Sequence, residues 1–194
     1  MYIDYLEIAL YGLIGVSLMF SVMWLITNSG LANCNMVGAI GSMLTADKKR
    51  ENLYGFAVYL AGGLFFTFVY NYIFEATNIG STNFTLVLSL FLGFIHGLVV
   101  SYAIIAVFSL GHRDDRFREV SIGIALAHLV AHMIFGFCLG MLFCMRTGML
   151  STGFSYESSP FMVYAFCALT ALPVMMSIFS IDRKIRKPVR VRKD

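Results

Sequence analysis

The chain has 194 residues, of which 59% are hydrophobic and 13% charged, with a mean hydropathy of +0.79 and a formal net charge of +3. A soluble domain carries nearly twice that charge fraction, so the composition is that of one all-α polytopic membrane domain. Half of the 14 Lys/Arg lie in DRKIRKPVRVRKD (Asp182–Asp194) at the C-terminal end, so the positive balance does not indicate nucleic-acid binding.

A helix needs about 20 apolar residues to cross a bilayer. The first run that qualifies is 5–27. Its leading MYIDYLEIAL has no basic n-region, so no removable signal peptide is expected. Asn33–Thr45, NCNMVGAIGSMLT, is too short to cross. Its Met36, Val37, Ile40, Met43 and Leu44 share one helical face, and Asn33 or Asn35 can cap it. It reads as a short helix at the cytoplasmic interface. Further spans follow at 53–74, 84–110, 121–145 and 160–181, which makes five. Residues 1–181 thus form one transmembrane domain and 182–194 a basic cytoplasmic tail, suited to anionic lipid.

Loop charges orient the bundle. Lys48–Arg50, Arg113, Arg116, Arg118 and the seven basic residues of the tail fall on one side, and only Arg146 falls on the other. The positive-inside rule places the N-terminus outside and the C-terminus on the cytoplasmic side of a cell membrane. Tyr59–Phe74 also aligns without gaps on His128–Phe143, which suggests two parallel two-helix repeats followed by the fifth span.

Three histidines, His96, His128 and His132, lie within spans. Ionisable groups there usually face the bundle interior. His128 and His132 are one turn apart on a helix face, with His132 expected to be the deeper and more buried. Two readings compete. The plainer one has neutral rings bonded to each other, to Tyr102 or to backbone carbonyls. The other is a cofactor site, either a haem b held by two histidines or a metal ion such as Cu, Zn or Fe. Gly93-x-x-x-Gly97 and Gly136-x-x-x-Gly140 are small-residue faces for close helix packing, with Ser17-x-x-x-Ser21 a weaker counterpart. Gly136 is expected to be more tightly enclosed than Leu142.

No carboxylate lies inside a span. Glu7 and Glu75 sit near outer ends, which argues against a proton relay or a di-iron carboxylate centre. Cys34, Cys138, Cys144 and Cys167 have no zinc-like spacing, so neither a zinc site nor a disulfide is expected. No Walker A, GxSxG or HExxH motif is present. HRDDRFRE (112–119) mixes both signs and suits salt bridges to a partner's loop.

Ile40-Gly41-Ser42-Met43-Leu44, then Gly55, Tyr59, Gly63, Phe66 and Tyr70, then Gly93, His96 and Gly97, then His132, Gly136 and Gly140 form a pattern. It resembles several groups of small bacterial and archaeal polytopic membrane proteins that carry domains of unknown function. The similarity covers roughly residues 10–145. The chain departs from those groups in having Tyr59 where a histidine is common, and in its fifth span and basic tail. The resemblance implies a helical bundle and no particular activity.

The functional expectation is therefore a non-catalytic accessory or structural subunit. It would pack against other membrane chains in a larger complex, without a bound cofactor. The alternatives are a redox subunit using His96, His128 and His132, and a small-molecule or lipid transporter. In intact cells, cysteines substituted at Thr82 and at Ser155 should both react with an impermeant maleimide added outside. Protection of both sites would refute the orientation.

Overall fold

The computed structural model describes residues 4–32, 34–78, 81–118 and 122–149. Its helices are α1 (Tyr5–Asn28), α2 (Met36–Leu44), α3 (Glu51–Thr77), α4 (Thr82–Gly111) and α5 (Ile122–Arg146), with a 3-10 turn at Asp115–Phe117. No strand occurs among the described residues. Four helices, α1, α3, α4 and α5, are long and apolar enough to cross a membrane, as a multi-pass membrane protein requires. Their bounds fall within three residues of the first, second, third and fourth expected spans. The span expected at 160–181 and the tail at 182–194 lie outside the described residues.

Local chemistry sets the ends. The Asp4 carboxylate accepts from the amides of Leu6 (3.0 Å) and Glu7 (3.2 Å), capping α1. Asn35 caps α2 by accepting from Gly38 N at 3.1 Å. Asn78, in the left-handed region at φ 46°, ends α3.

In α1 and α5, 44% and 50% of the membrane-length window is buried, against 17% and 22% in α3 and α4. The core therefore forms where α1 and α5 meet the inner faces of the other helices. Ile8, Val16, Phe135, Leu139 and Phe143 are nearly inaccessible there. Glu75 of α3 pairs with Arg146 at the end of α5, joining these helices at the end of the bundle remote from α2.

Glycine determines how closely the helices approach. A Cβ on Gly93 would lie 2.6 Å from the His132 carbonyl oxygen and 2.9 Å from Met133 Cα; one on Gly97 would lie 2.9 Å from His132 Cβ. One on Gly136 would collide with the Ser89 carbonyl, and one on Gly140 with the Ser89 side chain. Helices α4 and α5 are in backbone contact along this line. Elsewhere, α1 meets α3 with Gly12 against Thr67 and with Val16 against Gly63, and it meets α5 with Gly15 against Phe135. The Ser21 hydroxyl bonds back to Ser17 O within its own helix at 2.9 Å.

Helix α2 buries Met36, Gly38, Ala39, Gly41 and Ser42 against the chain and leaves Met43 and Leu44 44% and 58% exposed. The cause is a backbone crossing: a Cβ on Gly41 would strike the Glu51 carbonyl, and one on Gly55 the Val37 carbonyl. Leu142, expected to be the less tightly enclosed, is not loosely held. It is 6% exposed and packs with Ile14 and Cys138.

Gly62 gives the matched control for the seam, since a Cβ there meets nothing within 4 Å. Gly136→Ala should lower stability by about 1–3 kcal/mol, because the new methyl group meets backbone that cannot yield. Gly62→Ala should be neutral or stabilising by up to about 1 kcal/mol through helix propensity. Thermal unfolding of both variants in detergent decides it, and equal midpoints would refute the backbone contact.

Candidate functional site

The α4–α5 contact brings the three histidines of the spans together. The His96 and His132 rings meet edge to face with centroids 4.7 Å apart, and His128 lies 6.1 Å from His132. Phe66 of α3 lies against His96, with centroids 3.7 Å apart, and Phe135 packs edge-on at 6.4 Å.

Hydrogen bonds to carbonyls fix the tautomers of His128 and His132. A carbonyl only accepts, so His128 Nδ1–H donates to Ile124 O (3.2 Å) and His132 Nδ1–H to His128 O (2.7 Å). His128 Nε2 is then a lone pair, and it accepts the Tyr59 hydroxyl proton at 2.9 Å. Tyr70 Oη lies 3.4 Å from His96 Nδ1. Tyr70 is 2% exposed, and donating to Nδ1 gives its proton an acceptor. That arrangement puts the His96 proton on Nε2. His132 by the same reasoning carries a lone pair on Nε2.

His96 and His132 line a cavity of about 210 Å³ in the cleft between α3 and α4. Its walls are mostly apolar, including Phe66, Val100, Ile104 and Phe135, and Ile40 of α2 contributes at one end. Among the described residues, no Lys, Arg, Asp or Glu lines it. His128 lies outside this cavity, in a smaller void of about 30 Å³ beside Tyr59 and Cys34. Burial pushes the Cys34 thiol pKa up, so it stays protonated. Cys34, Cys138 and Cys144 are buried.

A second polar cluster lies at the end of the bundle that carries Lys48–Arg50. Glu51, with an 8% exposed side chain, is paired by Arg116 at 2.9 Å, and Arg116 also holds Asp114 at 2.6 Å. The Arg116 hydrogen bond draws the Asp114 carboxyl pKa down to about 2, and the two carboxylates raise that of Arg116. His112 is fully buried. It accepts from Asp114 N at 3.0 Å and donates through Nε2 to Ala39 O at 3.0 Å, tying the end of α4 to α2. Within the chain, this loop supplies Arg116 as the counter-charge that a buried Glu51 requires.

Several sequence expectations change here. Tyr102 is 74% exposed and is not the histidine partner; Tyr59 and Tyr70 are. His128, at 1% exposed, is more buried than His132 at 5%, because Tyr59 covers it. The His96 and His132 rings are in contact, and both nitrogens of His128 are hydrogen-bonded. No group of three or more His, Cys, Asp or Glu suited to a metal ion occurs among the described residues.

Compared with known proteins, the chain matches no family model, no curated protein and no solved structure.

Tyr59→Phe removes the only described donor to His128 Nε2 and leaves a buried acceptor unpaired. It should cost about 1–3 kcal/mol, read as a lower unfolding midpoint in detergent. An unchanged midpoint would refute the pairing.

Proposed function

We propose that this chain is a non-catalytic integral membrane protein that holds a small, largely apolar molecule in the cleft between α3 and α4. The observation that carries the reading is the cavity of about 210 Å³ in the helical bundle, lined by apolar side chains and two imidazoles. An apolar cavity of roughly 150 Å³ is enough to take up benzene, so this one has room for a substituted ring or a stretch of acyl chain. Few polar groups in an otherwise apolar concavity is the pattern of a binding site. Among the described residues, no carboxylate, Ser–His pair or thiolate lines the cavity.

The setting we propose is a cell membrane, with the Lys48–Arg50 end in the cytoplasm, the N-terminus outside, α2 at the cytoplasmic interface and the basic tail on anionic lipid. The long exposed apolar rows of α3 and α4, such as Phe65, Tyr72, Val87, Phe91 and Val99, suit lipid or a neighbouring membrane subunit. An accessory role within a larger complex is compatible with the cleft, since the ligand would then be shared with or protected by the neighbour.

Toluene tests the cleft directly. It should raise the unfolding midpoint of the purified protein in detergent, in a saturable manner. Gly62→Phe, which projects a ring into the cleft from a position with open space, should keep the fold and abolish that rise. A toluene effect that is absent, or that survives Gly62→Phe, would refute the reading.

A further inference from the structure

The cleft has a counterpart elsewhere in the bundle that is closed. Tyr59–Phe74 of α3 superposes in sequence on His128–Phe143 of α5, and Gly12-Leu13-Ile14-Gly15 of α1 on Gly93-Phe94-Ile95-His96 of α4. The contacts correspond as well as the letters. Gly12 meets Thr67 and Leu64 on α3, and Gly93 meets their counterparts Gly136 and Met133 on α5. Gly15 meets Phe135, and its counterpart His96 meets Phe66, the counterpart of Phe135. Residues at matching positions of α3 and α5 also touch each other: Tyr59 bonds His128, and Phe74 lies 5.1 Å from Phe143. Two parallel halves around an axis between α3 and α5 produce this pattern.

The halves differ at one informative place. Gly15 lets α1 lie flush on α5, where a Cβ would come within 2.9 Å of the Phe135 ring. At the matching contact the residue is His96, and its imidazole stands on Phe66 and holds α4 off α3. The cleft lies at this contact, and His96 and Phe66 both line it. Both described hydrogen bonds in the cleft use Nδ1, with Tyr70 on His96 and the His128 carbonyl on His132. The Nε2 edges therefore offer one donor, on His96, and one acceptor, on His132, from rings in contact.

We infer that the cleft selects an uncharged hydroxyl compound, an alcohol or phenol on a ring-sized or single-chain apolar body, whose oxygen accepts from His96 and donates to His132. The inference rests on the binding reading above and names the ligand class for that site. A hydroxyl is the small group that accepts and donates at one atom. A carbonyl or ether satisfies His96 and leaves the His132 lone pair without a donor. A carboxylate or ammonium would be a charge in a cavity that no charged side chain lines among the described residues.

Toluene, p-cresol and 4-methylanisole separate these cases, because they share one ring and differ in the polar group. Half-saturation of the stabilising effect is read for each at matched concentration in the detergent phase. p-Cresol should bind roughly tenfold tighter than toluene or 4-methylanisole. His132→Phe should erase that preference and leave toluene within about twofold, while His132→Gln, whose amide oxygen accepts, should keep part of it. In case His132→Phe does not fold, imidazole ¹⁵N spectra of the wild-type protein give a second reading: p-cresol should move the Nε2 resonances of His96 and His132, and toluene should not. Equal affinity of p-cresol and toluene, a preference that survives His132→Phe, or unmoved Nε2 resonances would overturn the hydroxyl assignment. If toluene binding stays sensitive to Gly62→Phe in that event, the cleft reading stands without it; if toluene has no such effect, the cleft reading itself is what failed.

Discussion

Backbone contact between α4 and α5 is the constraint on which the rest of the described structure depends. Helices in an apolar solvent gain little from burying one another's leucines, so close van der Waals approach has to hold them. Gly93, Gly97, Gly136 and Gly140 permit that approach, and it fixes the relative rotation of the two helices. Once rotation is fixed, His96 and His132 have no choice but to meet, and Phe135 is directed at both α1 and Tyr70. The histidine cluster is thus a consequence of the glycine seam.

Satisfaction of polar groups imposes a second order on the same region. In a dry interior each ring nitrogen needs a partner or an opening. The α5 backbone takes the Nδ1 protons of His128 and His132, using carbonyls one turn back that already belong to the helix ladder. The two tyrosines of α3 supply the remaining protons, Tyr59 to His128 and Tyr70 to His96. Helix α3 therefore meets the α4–α5 pair mainly through hydroxyl and aromatic groups and not through a glycine line. That is why a gap exists beside it.

The four long helices are legible in the sequence because apolar length, interrupted by charge, is a one-dimensional property. The glycine pattern on α4 and α5 is legible for the same reason. What is not legible depends on which helices approach and how closely. The contact of α2 is one case: absence of a Cβ at Gly41 and Gly55 decides it, and no hydropathy scale registers that. The histidine partners are another. Tyr102 sits close to His96 in sequence yet points outward, while Tyr59 is reached only through the α3–α5 register. Its alignment position opposite His128 was visible, but that matched positions touch follows only from the arrangement in space. The buried Glu51–Arg116 pair was hidden likewise, because a charged loop reads as solvated until a counter-charge is found beneath it.

The tie between His112 and Ala39 has a mechanical consequence. Helix α2 is locked to the start of α3 by the Gly41–Gly55 crossing, and His112 fastens the end of α4 to that locked element. At the opposite end of the bundle, α3 and α4 are joined by the short connection after Asn78. The gap between α3 and α4 therefore lies between two points at which the chain ties those helices together, directly at one end and through α2 at the other.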